Sequence, residues 1–99
     1  MAYKISYNKT FLDDSLRTAY WLEKEWSKKA ADKFAGILYA KIQRIAENPF
    51  IGSRANKGRG VRKMTITEFN RVYYRVKGQT IIFLALFETR QNPRKNRYE

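Results

Sequence analysis

Polar and apolar residues alternate with period two at the start and in the second half of the chain, and with a period near 3.6 between. Tyr3, Ile5 and Tyr7 alternate with Lys4 and Ser6, which predicts a short first strand. Phe11, Leu12, Leu16, Ala19, Tyr20, Leu22 and Trp26 then recur at steps of three and four, so one face of a helix is apolar. Asn8 is placed to cap this helix, with Asp13 and Asp14 in or near its first turn. Ser27 reads as a second N-cap, and Ala30, Ala31, Phe34, Ile37, Leu38, Ile42 and Ile45 form the next apolar stripe. Asn48-Pro49 stops it, because the residue before proline avoids the α region. The two stripes predict a long antiparallel helical hairpin with a very short turn.

Residues 48–60 read NPFIGSRANKGRG, a glycine-rich, basic connection of a length that is often functional. Period two then returns. In 61–67, Met64 and Ile66 are the inward pair, and Lys63 and Thr65 point outward. Residues 68–70 read as a turn. Arg71, Tyr73, Arg75 and Lys77 share the outward face of the next strand, with Val72, Tyr74 and Val76 on the other. Gly78 supplies a tight hairpin turn. Residues 80–87 are apolar on both faces, as in the middle strand of a sheet. A polar, basic tail follows. The expected fold is α+β in the order β-α-α-β-β-β: an N-terminal strand, then a helical hairpin packed on one face of a small, mainly antiparallel four-stranded sheet. Residues 1–99 are expected to form a single domain, with 90–99 a basic tail.

Composition sharpens this picture. The chain carries 21 Lys/Arg against 9 Asp/Glu, a net charge of +12. Residues 1–47 hold nine cations and six acids, whereas 54–99 hold twelve and three, so +3 and +9 make up the total. The excess falls on the strand half, largely on one side of its alternation, and predicts an acidic partner: nucleic acid, or a protein that masks the charge. There are no cysteines and no histidines. Disulfides, thiolate metal sites and the usual general base are excluded, and neither cofactor nor metal is expected. Chemistry would run on Lys, Arg, Tyr, Glu or backbone groups. The first residues lack a signal-peptide stretch, and the longest apolar run, 81–87, is too short to span a membrane. A cytoplasmic protein with no membrane partner is the expectation.

The helical hairpin, its Asn48-Pro49 stop, the segment Gly60-Val61-Arg62-Lys63, the strand Arg71-Val72-Tyr73-Tyr74-Arg75-Val76 and the ending Phe87-Glu88-Thr89-Arg90 together resemble the RelE/ParE superfamily of bacterial toxins. The likeness covers nearly the whole chain and rests on the order and spacing of these segments. It implies the toxin half of a type II toxin–antitoxin module, held inactive by a small antitoxin that wraps it. RelE-like members cut mRNA in the ribosomal decoding site; ParE-like members inhibit DNA gyrase and are not nucleases. By resemblance to the RelE-type set, Lys63, Arg71, Arg90 and Tyr98 are the catalytic candidates. Two departures stand out. Thr65 occupies the place of a second lysine, and Tyr98 lies about two residues farther from Arg90 than the family spacing. The long hairpin is more like ParE.

Metal-free RNA cleavage needs a base for the 2′-OH, cations on the scissile phosphate and an acid for the departing 5′-oxygen. Arg71 and Arg90 suit the phosphate, Lys63 the base if neighbouring cations lower its pKa, and Tyr98 or Arg90 the stacking or acid role. Arg59, Arg62, Tyr73 and Arg75 are candidates for partner or substrate binding. Each has a structural alternative: solvated strand cations for Lys63, Arg71 and Arg75, plain tail residues for Arg90 and Tyr98, a rim or partner contact for Tyr73. Trp21 and Trp26 read as core or helix-packing residues. The sequence ranks ribosome-dependent mRNA cleavage first and gyrase inhibition second, with general nucleic-acid binding last. It sets a geometric discriminator: Lys63, Arg71 and Arg90 on one concave spot favour the nuclease, and scattering favours the binder.

Overall fold

A computed structural model describes residues 3–90 and 96–99. Strand β1 (Lys4–Tyr7) leads into helices α1 (Lys9–Glu25) and α2 (Lys28–Glu47), followed by β2 (Ser53–Arg54), β3 (Val61–Thr67), β4 (Asn70–Lys77) and β5 (Thr80–Glu88). The fold is the expected α+β arrangement. The sheet has five strands, not four, in the order β1-β5-β4-β3-β2. The extra strand lies in the long connection, where Ser53 and Arg54 pair antiparallel with Lys63 and Arg62. Two residues of pairing leave no alternation to read, so composition alone marked this stretch as loop.

β1 lies parallel to β5, and the chain between them runs over the sheet through the helical hairpin and returns through β2, β3 and β4. β3, β4 and β5 form an antiparallel meander. Tyr73 faces Ala85 while Tyr74 faces Phe83, so Leu84 is an extra residue in β5. The bulge explains the apolar run on both faces: Ile81, Phe83 and Leu86 join the helix-side core, and Leu84 joins Val61 and Tyr73 on the far side. β1 ends at Tyr7, beyond which that edge of β5 has no strand beside it. Asp14 fills the gap, its Oδ2 accepting the Leu86 amide at 3.0 Å.

Ser27 caps α2 as expected, its Oγ accepting the Ala30 amide at 3.0 Å. Asn8 occupies the N-cap of α1 without a side-chain cap bond. From α2, Phe34, Leu38, Ile42 and Ile45 are buried against the sheet. From α1, only Phe11 is fully buried. Leu22 is half-buried against the core and Ala19 half-buried, whereas Leu12, Leu16, Tyr20 and Trp26 of its expected apolar face are exposed, as is Trp21. The tryptophans are therefore not core residues. The exposed row Leu12-Leu16-Tyr20 has the i, i+4, i+8 spacing of one helix edge, and periodicity cannot say which edge a sheet will cover. Gly36 sits in the exposed interior of α2 with nothing within 4 Å of a would-be Cβ. Gly36→Ala is expected to stabilise by about 0.5–1 kcal/mol, read as a rise in the urea midpoint at unchanged slope.

Candidate functional site

Antiparallel pairing of β3 with β4 places Lys63 opposite Tyr73 and Thr65 opposite Arg71, on the sheet face turned away from the helices. Outward phase is therefore as expected for Lys63, Arg71, Tyr73 and Arg75. The face is not bare, because residues 96–99 cross it. The Tyr98 ring packs 5.1 Å from that of Tyr73, and the Tyr98 carbonyl accepts the Lys57 amide at 2.8 Å. The Glu99 carboxylate enters between the cations. Its Oε2 accepts from Lys63 Nζ at 2.8 Å, Arg71 Nη1 at 2.9 Å and the Tyr73 hydroxyl at 2.9 Å. Its Oε1 accepts the Asn56 amide at 3.3 Å. Asn96 Nδ2 and Arg71 Nη1 donate in turn to the Tyr73 hydroxyl, at 2.9 and 3.3 Å. Tyr73 is 0% exposed, so on the outward face that the alternation gave it, it is a buried member of this cluster and not an exposed binding or rim residue.

Burial pushes the Tyr73 hydroxyl above its ordinary pKa, against the hydrogen bonds from Asn96 and Arg71, which keeps it a donor to Glu99. For Glu99, burial alone would raise the pKa. Hydrogen bonds from Lys63, Tyr73 and the Asn56 amide, with the Lys63 charge, outweigh it and hold the carboxyl below the ordinary value. The unfolded chain then binds more protons than the folded one across that interval, so stability rises with pH there. The Glu99 contribution is fully present above the ordinary glutamate value of 4.5 and is lost as pH falls through the lower folded value. Melting temperatures of wild type and Glu99→Gln should differ at pH 6 and converge as pH falls to 3.

Arg90 does not join this cluster. Its Nε pairs with Glu88 at 2.8 Å, and its guanidinium lies over the rings of Phe69, at 4.1 Å, and Trp21, at 5.3 Å. There it lines a groove of about 670 Å³ between the helical hairpin and the end of the sheet, with Trp21, Phe34, Ile37, Phe69 and Leu86 as apolar lining and Asp14, Arg17, Lys33 and Glu88 as charged lining. Arg62 is paired with Tyr74, on the helix side. It braces the long connection, donating to the Gly52 carbonyl at 2.6 Å and the Phe50 carbonyl at 3.3 Å while stacking 5.1 Å from the Phe50 ring. Arg59 is exposed in the turn before β3. Arg75 is half-buried, and its Nε has no hydrogen-bond partner among the described residues.

Sequence reasoning missed Glu99, Asn96 and the Asn56 amide. One signal was present: Glu99 is the sole acid in residues 90–99, which hold four cations. An acid isolated among cations marks an intrachain pair, but its partners lie 36 and 28 residues earlier in the chain.

A five-stranded sheet with a bulge in β5, backed by a helical hairpin, defines the fold. It is the fold of small toxins from type II toxin–antitoxin modules. The chain resembles a protein of the chromosomal ParDE system of P. aeruginosa, at 16% identity and a TM-score of 0.75, covering 87% of this chain and 95% of that one. It also resembles a YoeB/ParE toxin of Agrobacterium tumefaciens, at 18% identity and a TM-score of 0.60, covering 86% and 96%. A chain of the RelBE2 toxin–antitoxin complex of Mycobacterium tuberculosis matches at 13% identity and a TM-score of 0.63, covering 89% and 99%. No curated protein sequence matched. The family described as the ParE toxin of the type II toxin–antitoxin system parDE matches residues 5–93. The chain belongs to this family and is the toxin component of such a module.

Proposed function

We propose that this toxin arrests growth by binding DNA gyrase without catalysis, and that a small acidic antitoxin neutralises it. One observation carries the reading: the three cations that metal-free RNA cleavage would need together are divided. Lys63 and Arg71 are both engaged by the Glu99 carboxylate, while Arg90 is stacked on Phe69 and Trp21 beside the helices. A base must be free to reach the proton it takes, and the Lys63 amine is engaged by the Glu99 carboxylate at 2.8 Å. The half-buried Tyr98 ring packs on Tyr73, which engages one side of the ring that a splayed base would use. The exposed row Leu12-Leu16-Tyr20 suits a protein target better than a phosphate backbone.

The groove beside Arg90 supports the antitoxin. Its apolar lining fits the face of an amphipathic helix, and Lys33 among the lining residues fits an acidic residue on that helix, Arg17 and Arg90 being paired with Asp14 and Glu88. Ribosome-dependent mRNA cleavage is the second reading, favoured by the meeting of Lys63, Arg71 and Tyr73 around one anion. Induced expression with parallel readouts separates the two. Gyrase inhibition predicts relaxed plasmid and intact message; cut message with normally supercoiled plasmid would reverse the ranking.

A further inference from the structure

We propose that the outer face of α1 is a self-association surface, on which a second copy of this chain packs its own α1 antiparallel across a twofold axis at Leu16. At about 100° per residue, Leu12 and Tyr20 lie roughly 40° to either side of Leu16, away from Phe11, Asp14, Thr18 and Leu22, which face the protein. The row is therefore turned outward, and Leu12, Leu16 and Tyr20 are 47%, 70% and 67% exposed. A continuous apolar row on a chain this charged marks a protein contact.

Charge names the partner. The chain carries +12, so two copies repel over most of their surface. α1 is the exception: Lys9, Arg17 and Lys24 against Asp13, Asp14, Glu23 and Glu25 leave −1. α2, with five cations and two acids, holds +3. A slightly acidic face suits neither a nucleic acid nor an acidic protein, but it lets a second copy approach. The charges are also ordered along the row. Lys9 and Glu23 both lie seven positions from Leu16, at opposite ends. Each falls within about 20° of the line through Leu16, at the centre of the face. Parallel packing would set lysine on lysine and glutamate on glutamate. Antiparallel packing about Leu16 sets Lys9 against the other copy's Glu23 at both ends, the self-complementary contact of a twofold dimer. Lys9 pairs with Asp13 at 2.9 Å and has donors to spare, and Glu23 has no ion pair among the described residues. A single helix pair is at the small end of specific interfaces, so the dimer is weak, with a Kd on the order of 10–100 µM. The row cannot face a second copy and another protein at once, so the toxin engages a target through this face only as a monomer.

The test is sedimentation equilibrium of the purified full chain at pH 7 and fixed salt, from about 5 to about 500 µM, a range that brackets the expected Kd. The weight-average mass should climb from 11.8 kDa toward twice that value. Leu16→Glu sets two carboxylates against each other on the axis and should hold the monomer mass throughout. Its circular dichroism spectrum should match wild type, because Leu16 is exposed. Glu23→Lys should weaken association about threefold to tenfold, and Lys9→Glu/Glu23→Lys should restore it. A constant mass of 11.8 kDa, which would leave the row to a different protein, overturns the proposal. So does a dimer that survives Leu16→Glu, or a double exchange that fails to restore the loss. Should Leu16→Glu not fold, the wild-type NMR resonances that shift with concentration must centre on Leu12, Leu16 and Tyr20, and shifts centred elsewhere overturn it. Mass is read with no target present, so the outcome is independent of whether gyrase is inhibited.

Discussion

Phe83→Ala is expected to destabilise the protein by roughly 3–5 kcal/mol, lowering the melting temperature by about 15–30 °C. Phe83 is 0% exposed and is the ring on which three elements meet. Tyr7 from β1 stacks on it at 5.8 Å, Phe11 from α1 at 5.5 Å and Tyr74 from β4 at 5.8 Å. Its carbonyl accepts the Asn8 amide at 3.0 Å, where the chain leaves β1 for α1. Truncation removes the ring contacts and leaves a cavity that three differently anchored neighbours cannot close together. Phe83→Leu keeps most of the volume and should cost less than half as much. A thermal melt of both variants by circular dichroism checks this, and equal losses would contradict it.

Gly52→Ala is expected to cost roughly 2–4 kcal/mol, although it adds one methyl group in a connection between elements. A Cβ at this position would lie 2.6 Å from the Lys63 carbonyl oxygen and 2.6 Å from the Tyr74 hydroxyl. Neither neighbour is free to move. The first is β3 backbone. The second is a buried hydroxyl that accepts the Gly52 amide at 3.1 Å and donates to the Pro49 carbonyl at 2.8 Å. Relief means lifting the connection off the sheet, which also breaks the bond from Arg62 to the Gly52 carbonyl. Urea unfolding of Gly52→Ala beside Gly36→Ala makes a matched pair, the same chemical change with opposite expected signs. A Gly52→Ala midpoint at or above wild type would refute the close approach.

The contrast between those glycines shows where sequence is informative. Both are glycine among ordinary neighbours; only packing tells that one faces open space and the other a backbone oxygen. The strands and the hairpin were legible because period two and period 3.6 are local signals, strengthened by Ser27, Asn48-Pro49 and Gly78. Outward phase on β4 was legible for the same reason. What lies over that face was not. Tyr73 reads as an exposed aromatic until residues 96–99 are seen to cover it, a contact across more than twenty residues. The burial of α1 was misread because the Leu12-Leu16-Tyr20 edge and the Phe11 edge are both apolar, and the sheet covers one. Arg90 was placed with Lys63 and Arg71 by likeness to a family pattern. Its chain position, two residues past β5, leaves its direction to Phe69, Trp21 and Glu88.

A binding toxin also accounts for features that a nuclease leaves idle. Lys63 and Arg71 on the open face pair with an intrachain acid, an apolar row is displayed on α1, and the apolar groove lies on the opposite side of the sheet from Lys63 and Arg71. Lys63→Ala/Arg71→Ala should therefore lose stability through the stranded Glu99 carboxylate yet keep its toxicity at permissive temperature.

The most direct measurement is supercoiling of relaxed plasmid by purified gyrase and ATP with the purified toxin titrated in. Loss of supercoiling near equimolar toxin, with ribosome-bound message left uncut by the same preparation, is the predicted result. Full supercoiling at a large excess of toxin, with message cut at mapped positions, would contradict it.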